Sequence, residues 1–192
     1  MGVPALYCTR TLTVDDANQA IGMSPLFTKP PSFANALVQN IGGGNTMVFN
    51  HAACELLRKA GADVQVASHD WWTYLVVSGC GGLVHYDPTP TLRYRQHTGN
   101  LVGSNGSWLA RCRRLTMMLG GRFKDWTQKN ILALTALKDQ LSQESDSRLR
   151  EFQQSQRGNI FARLKGVKRS GIYRQTLIGN LGLISAVLLN KI

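Results

Sequence analysis

The chain has 192 residues, of which 43% are hydrophobic and 17% charged. That is enough to bury a core and too little charge for a disordered polyelectrolyte. The net charge of +11 is lopsided: residues 1–90 carry four Lys/Arg against six Asp/Glu, a net of −2, and residues 91–192 carry eighteen against five, a net of +13. The second half therefore calls for an anionic partner: a membrane surface, a nucleotide or lipid diphosphate, or nucleic acid. The four cysteines, Cys8, Cys54, Cys80 and Cys112, form no CxxC pair. Such spacing argues against a disulfide framework or a zinc site and for small, reduced, mostly buried thiols in a cytosolic protein. No basic-then-apolar leader opens the chain, and the longest weakly polar run, Leu177–Leu189, is shorter than the roughly 20 residues a bilayer span needs.

In chain order, ALYCTRTLTV (5–14) is β-branched and aromatic and predicts a strand that turns at Asp15-Asp16. A loop with Pro25, Pro30 and Pro31 follows. SFANALVQNI (32–41) predicts a short helix capped by Ser32, interrupted by Gly42-Gly43-Gly44. TMVFN (46–50) reads as a compact buried strand, and HAACELLRKAG (51–61) as a helix with a glycine stop. Asp70 stands where a first-turn acid favours a helix start, and the apolar run from Trp71 carries that helix to Gly79. LVHYD (83–87) predicts a strand closed by Pro88 and Pro90. TLRYRQH (91–97) predicts another extended segment, and a glycine-rich loop spans 97–106.

From Ser107 onward the spacing is helical. Trp108, Leu109, Cys112, Leu115, Met118 and Leu119 share a face that ends at Gly120-Gly121. Phe123 to Leu141 mark the next helix. SQESDS (142–147) reads as a polar junction before a third helix near 148–156, and a mixed basic and apolar tail completes the chain. The outline is an α/β unit over 1–106 followed by a helical, basic extension over 107–192.

Three blocks together carry a resemblance: GGGNTMVFN (42–50), HDWW (69–72) and GGLVHYDPTPTLRYRQHTGNLVG (81–103). In that order they resemble the acceptor-side half of bacterial family 2 glycosyltransferases, in particular the rhamnosyltransferase-like enzymes of surface-polysaccharide assembly. The resemblance covers roughly residues 5–120. It implies part of a GT-A fold and inverting transfer of a sugar from a nucleotide-sugar donor to a glycan or lipid-linked acceptor at the cytoplasmic face of the membrane. It also implies a divalent metal, Mg or Mn, held in the family by an acidic DxD-type motif that has no counterpart here. Asp15-Asp16 lacks that spacing and reads as a pair of turn carboxylates, as expected of a truncated form without its nucleotide-binding half, inactive in isolation.

Residue by residue, the resemblance implies that Asp70 is the general base, against the plainer reading that it only caps its helix. Asn45, His69, Trp71, Trp72, Arg93, Arg95, Gln96 and Asn100 are then substrate-binding residues, and His97 faces the metal and pyrophosphate. Several have a structural alternative, which for His97 is a hydrogen-bonded loop histidine. The indoles suit a flat sugar floor or a packed core. His69 and Asp70 diverge by about 100° on a helix, so they form no dyad. Arg93, Arg95 and His97 alternate, and on a strand they share one face suited to a diphosphate. Gly42–Gly44 is no Walker loop and instead lets backbone approach a ligand near Asn45.

Residues 148–192 carry nine Lys/Arg and one acid among apolar residues. That pattern predicts either a basic amphipathic surface on anionic lipid or a solvated basic face. The reading from another class is a non-catalytic basic module for membrane or nucleic acid. Nucleic acid is disfavoured because Trp71 and Trp72 lie in the acidic half and no RNA- or DNA-binding signature is present.

Overall fold

The computed structural model describes residues 2–95, 121–156 and 158–192. The glycine-rich loop, the helix expected from 107 to 119, Cys112, Gln96, His97 and Asn100 lie outside the described residues. The described chain is mixed α/β, with a small sheet and helices packed against it.

The first strand, β1 (Ala5–Val14), is central. Its side chains alternate as a pleated ribbon should: Leu6 and Cys8 are buried and Tyr7, between them, is exposed. Beyond the Asp15-Asp16 turn, β2 (Ala20–Met23) folds back antiparallel, pairing Leu12 with Met23. Sequence alone predicts a loop here. Asn18 takes a positive φ of 63° in the turn, and the Gln19 amide donates to Asp15 Oδ1 at 2.7 Å, so side chain–backbone chemistry closes a hairpin.

The segment expected to be a buried strand at 46–50 is instead a single 3-10 turn, Gly44–Thr46, and a two-residue strand, β3 (Val48–Phe49). β3 pairs antiparallel with Leu6 and Tyr7, and its side chains are 67% and 41% exposed. The run M-V-F is apolar, but only Met47 packs against the core, and among the described residues no layer covers Val48 and Phe49.

The two segments expected at 83–87 and 91–97 form one strand, β4 (Leu83–Arg95), parallel to β1 from Ala5↔Leu83 to Val14↔Arg95. Pro88 and Pro90 do not end it. β4 has 13 residues against 10 in β1, and the surplus is absorbed in register shifts around Thr9 and Arg10. Among the described residues β4 pairs only with β1. Proline is tolerated on such an edge because the missing N–H would point away from the ladder.

Three helices connect the parallel strands. The four-residue α1 (Phe33–Ala36) is capped as predicted, Ser32 Oγ accepting from the Asn35 amide. α2 (His51–Ala60) is capped by Asn50, whose Oδ1 accepts from the Ala53 amide, and it stops at Gly61 with φ 91°. α3 (His69–Gly79) is buried nearly all round from Trp71 to Val77, which makes it the central helix.

After the undescribed segment come α4 (Arg122–Leu134), a 3-10 stretch at Thr135–Gln140, and α5 (Gln143–Ser155). The polar stretch 142–147, expected to be a junction, is the cap and first turn of α5. Ser142 Oγ accepts from the Ser145 amide, and Glu144 and Asp146 sit where the helix dipole favours acids. α6 (Ile160–Ser170) and α7 (Leu177–Leu188) complete the chain as an antiparallel pair. One apolar cluster runs from Leu6 through Trp71, Tyr74 and Leu134 to Phe152, Leu183 and Ile192, so the core crosses the expected 106/107 boundary without a break.

A polar seam ties the final hairpin to the front of the chain. Asn35 Nδ2 donates to the Tyr173 carbonyl at 2.9 Å, and the Gln175 amide donates to Gln39 Oε1 at 2.8 Å. Gln175 also exchanges two bonds with the Lys29 backbone, each 3.0 Å. Tyr74 Oη accepts from the Ser32 amide and donates to the Ser32 carbonyl. Asn35 is fully buried, so Asn35→Leu strands its partners. The expected loss is about 1–3 kcal/mol, measurable as a lower urea midpoint at unchanged slope.

Candidate functional site

The start of α3 is built from local chemistry. Ser68 precedes the helix in extended conformation, but its hydroxyl caps no backbone amide. It donates instead to Asp70 Oδ1 at 2.5 Å, and the Trp71 amide donates to the same oxygen at 2.8 Å. Asp70 thus takes the anionic role at the helix N-terminus, where aligned amides favour negative charge. Among the described residues no hydrogen bond reaches its Oδ2. The carboxylate is half-buried, and His69 beside it is exposed.

His69 meets the glycine loop. A Cβ placed on Gly44 would lie 2.2 Å from His69 Nε2, so the imidazole rests directly on the Gly44 backbone. A side chain at Gly44 would displace the imidazole from this position. The loop also turns inward one residue pair earlier, where a Cβ on Gly42 would meet Cys8 Cβ at 3.0 Å and Sγ at 3.2 Å. Asn45, exposed in the 3-10 turn, stands next to this contact in sequence. The structure therefore brings the loop that carries Asn45 to the helix start that carries His69 and Asp70.

The indoles face the other way. Trp71 and Trp72 are each 5% exposed. Trp71 Nε1 donates to the Ala36 carbonyl at 2.6 Å, and its ring stacks on Phe123 at 6.1 Å between centroids. Core packing is the described role of both, so neither presents an open face as a sugar floor.

Arg93 and Arg95 are exposed and alternate with half-buried Leu92 and Tyr94, as the period-two spacing predicts. The register sets them opposite Leu12 and Val14. Gly42 meets Cys8, six residues before Val14, about 20 Å along a strand. The register thus sets both arginines toward the far end of β1 from the Gly42–Cys8 contact. Gln96, His97 and Asn100, expected beside them, lie outside the described residues.

One constellation escaped the sequence reading. Tyr7 Oη donates to Asp87 Oδ2 at 2.6 Å, the Tyr7 and His85 rings stack at 5.5 Å and 8°, and the Thr89 amide donates to Asp87 Oδ1 at 2.7 Å. The Tyr7 hydroxyl is the main reason the Asp87 carboxyl is held below its usual range, and the Thr89 bonds add to it. In return, that bond raises the Tyr7 phenol. The period-two spacing of His85 and Asp87 was visible. Their pairing with Tyr7 required knowing that β1 and β4 are parallel neighbours.

No protein-family model matches this chain, and no curated protein or solved structure matches it.

The site's chemistry must therefore be read from its own residues. Cys8 and Cys80 are poorly suited as thiol nucleophiles: burial pushes Cys8 up to about 12 and Cys80 up to about 11. Among the described residues no cluster of three or more His, Cys, Asp or Glu could hold a metal ion. Among the described residues no helix is long and apolar enough to cross a membrane. What the site offers is one positioned carboxylate, an exposed imidazole and a glycine-lined approach.

Proposed function

We propose that the chain is the acceptor-side portion of a family 2-like, GT-A-type glycosyltransferase, in which Asp70 is the base that activates an acceptor hydroxyl. In this reading the donor is a nucleotide sugar and the acceptor a glycan, carried on lipid in surface-polysaccharide assembly. The acceptor oxygen bonds to the anomeric carbon as its proton passes to the Asp70 carboxylate. The bond from that carbon to the nucleoside diphosphate breaks, and the diphosphate leaves with the electron pair. Ser68 and the Trp71 amide hold Oδ1, which aims the carboxylate.

The observation that carries this reading is the seating of the His69 ring on the Gly44 backbone. Two of the three sequence blocks behind the resemblance, G-G-G-N and H-D-W-W, meet there, although Gly44 and His69 are 25 positions apart in the chain.

The test is amide chemical-shift mapping on the full chain with a panel of short oligosaccharides ending in different hexoses and deoxyhexoses. At least one is expected to perturb Gly44, Asn45, His69 and Asp70 together, with weaker binding by Asp70→Asn. If no member of the panel moves these amides, or if the shifts fall elsewhere, the reading fails.

A further inference from the structure

The last helix departs from the usual pattern of a surface helix. The inner side of α7 is buried through Gly182, Leu183, Ala186 and Val187. Its outer stripe is Leu177, Ile178, Leu181, Ile184, Leu188 and Leu189, all exposed. A helix that is apolar all round belongs in a core or in lipid, yet half of this one faces outward. The stripe does not end at α7. Arg163 Nη1 donates to the Val187 carbonyl at 3.0 Å, which holds the start of α6 beside the end of α7. From that start of α6, Ile160, Phe161 and Leu164 are exposed as well, Phe161 at 78%. So many exposed apolar side chains on two paired helices mark an interaction surface.

The surrounding charge identifies the occupant. The exposed far half of α6 carries Lys165, Lys168 and Arg169, and Lys191 follows α7. Residues 158–192 contain six Lys/Arg and no Asp or Glu. The acid that meets this rim is Glu151, 3.8 Å from Arg169, on α5. A second copy of the chain docking here would bring two cationic rims together. A nucleic acid would answer the charge but not the leucines. An anionic bilayer answers both, taking apolar side chains below its headgroups and placing lysines among its phosphates. Twelve residues of α7 span about 18 Å, too short to cross the roughly 30 Å hydrocarbon layer and suited to lying along it.

We infer that the outer face of the α6–α7 hairpin is a docking surface for an anionic membrane, with α7 lying in the plane of the interface. This rests on a different observation from the sugar-transfer reading and survives that reading's failure.

The test is co-sedimentation of the full chain with vesicles of phosphatidylcholine alone and of phosphatidylcholine mixed with phosphatidylglycerol. Partition onto the mixed vesicles is expected to be about tenfold stronger or more, and to weaken in high salt. Ile178→Ser/Leu181→Ser should abolish it. Lys165→Glu/Lys168→Glu should reduce it about tenfold or more while leaving the melting temperature nearly unchanged, because these positions are exposed. Equal binding to both vesicles, or binding to neither, overturns the inference without recourse to any variant. So does a chain that ignores vesicles and forms a dimer dispersed by Leu181→Ser, which would assign the face to a second copy.

Discussion

Trp71→Ala is expected to lower stability by about 3–5 kcal/mol, the range for deleting a large aromatic from a packed core. The indole is nearly inaccessible, donates to the Ala36 carbonyl and stacks on Phe123. Its removal opens a void at the point where α1, α3 and α4 meet and leaves a buried carbonyl without its donor. Domains of this size are held by about 5–15 kcal/mol in all, so this change alone consumes much of the margin. A fall in melting temperature of about 6–20 °C should accompany it. Trp71→Phe keeps most of the packing and loses the bond, and should fall between. A neutral Trp71→Ala in calorimetry would mean that the ring is not a core residue and would reopen its role as a ligand platform.

The second large effect is expected at Gly166. There α6 crosses α5 so closely that an added Cβ would lie 2.4 Å from Ser155 Cβ and 2.9 Å from Ser155 Cα. Gly166→Leu should destabilise by about 2–3 kcal/mol through overpacking, despite the better helix propensity of leucine. The damage should be local, lifting α6 and α7 away from α5, so limited proteolysis should begin within 158–192 before the rest of the chain is cut. The clash has one main partner, which makes a double-mutant cycle informative. Ser155→Gly combined with Gly166→Ala should cost less than the two single changes added together. Strict additivity would mean that the crossing is looser than described.

How much of this was legible in the sequence depends on the range of the forces involved. β1, α1, α2 and α3 were readable because their signals are local: β-branched alternation over 5–14, Ser32 and Asp70 at helix starts, and a glycine after Ala60. The error at 142–147 was of a different kind. Serine and acidic residues suit both loops and first helical turns, and only the following Leu149 and Phe152, buried against the core, decide which. β2 was missed because A-I-G-M has no strand pattern of its own and becomes a strand by pairing with Leu12–Val14. β3 was expected inside because V-F is apolar, but whether a layer covers a strand is a property of the whole chain.

The candidate site divides the same way. Asp70 and His69 at a helix start could be read from four adjacent letters. The seating of His69 on Gly44 and the Tyr7–Asp87 bond join residues 25 and 80 positions apart, and no spacing rule reaches that far. Trp71 and Trp72 show the reverse limit: the resemblance implied a binding role, the apolar helix equally suited a packed core, and packing places both in the interior.

The surplus residues of β4 have a consequence for which side of the sheet each chemistry faces. Before Pro88 odd-numbered positions of β4 pair with odd positions of β1, as His85 does with Tyr7. Beyond Pro90 they pair with even ones, as Arg93 does with Leu12 and Arg95 with Val14. An odd insertion therefore inverts parity partway along one ribbon, because partners in a ladder share a face. The imidazole and carboxylate go with the phenol, and the guanidiniums go with the aliphatic set. The three surplus residues of β4 thus act as a selector of polarity for everything downstream of them.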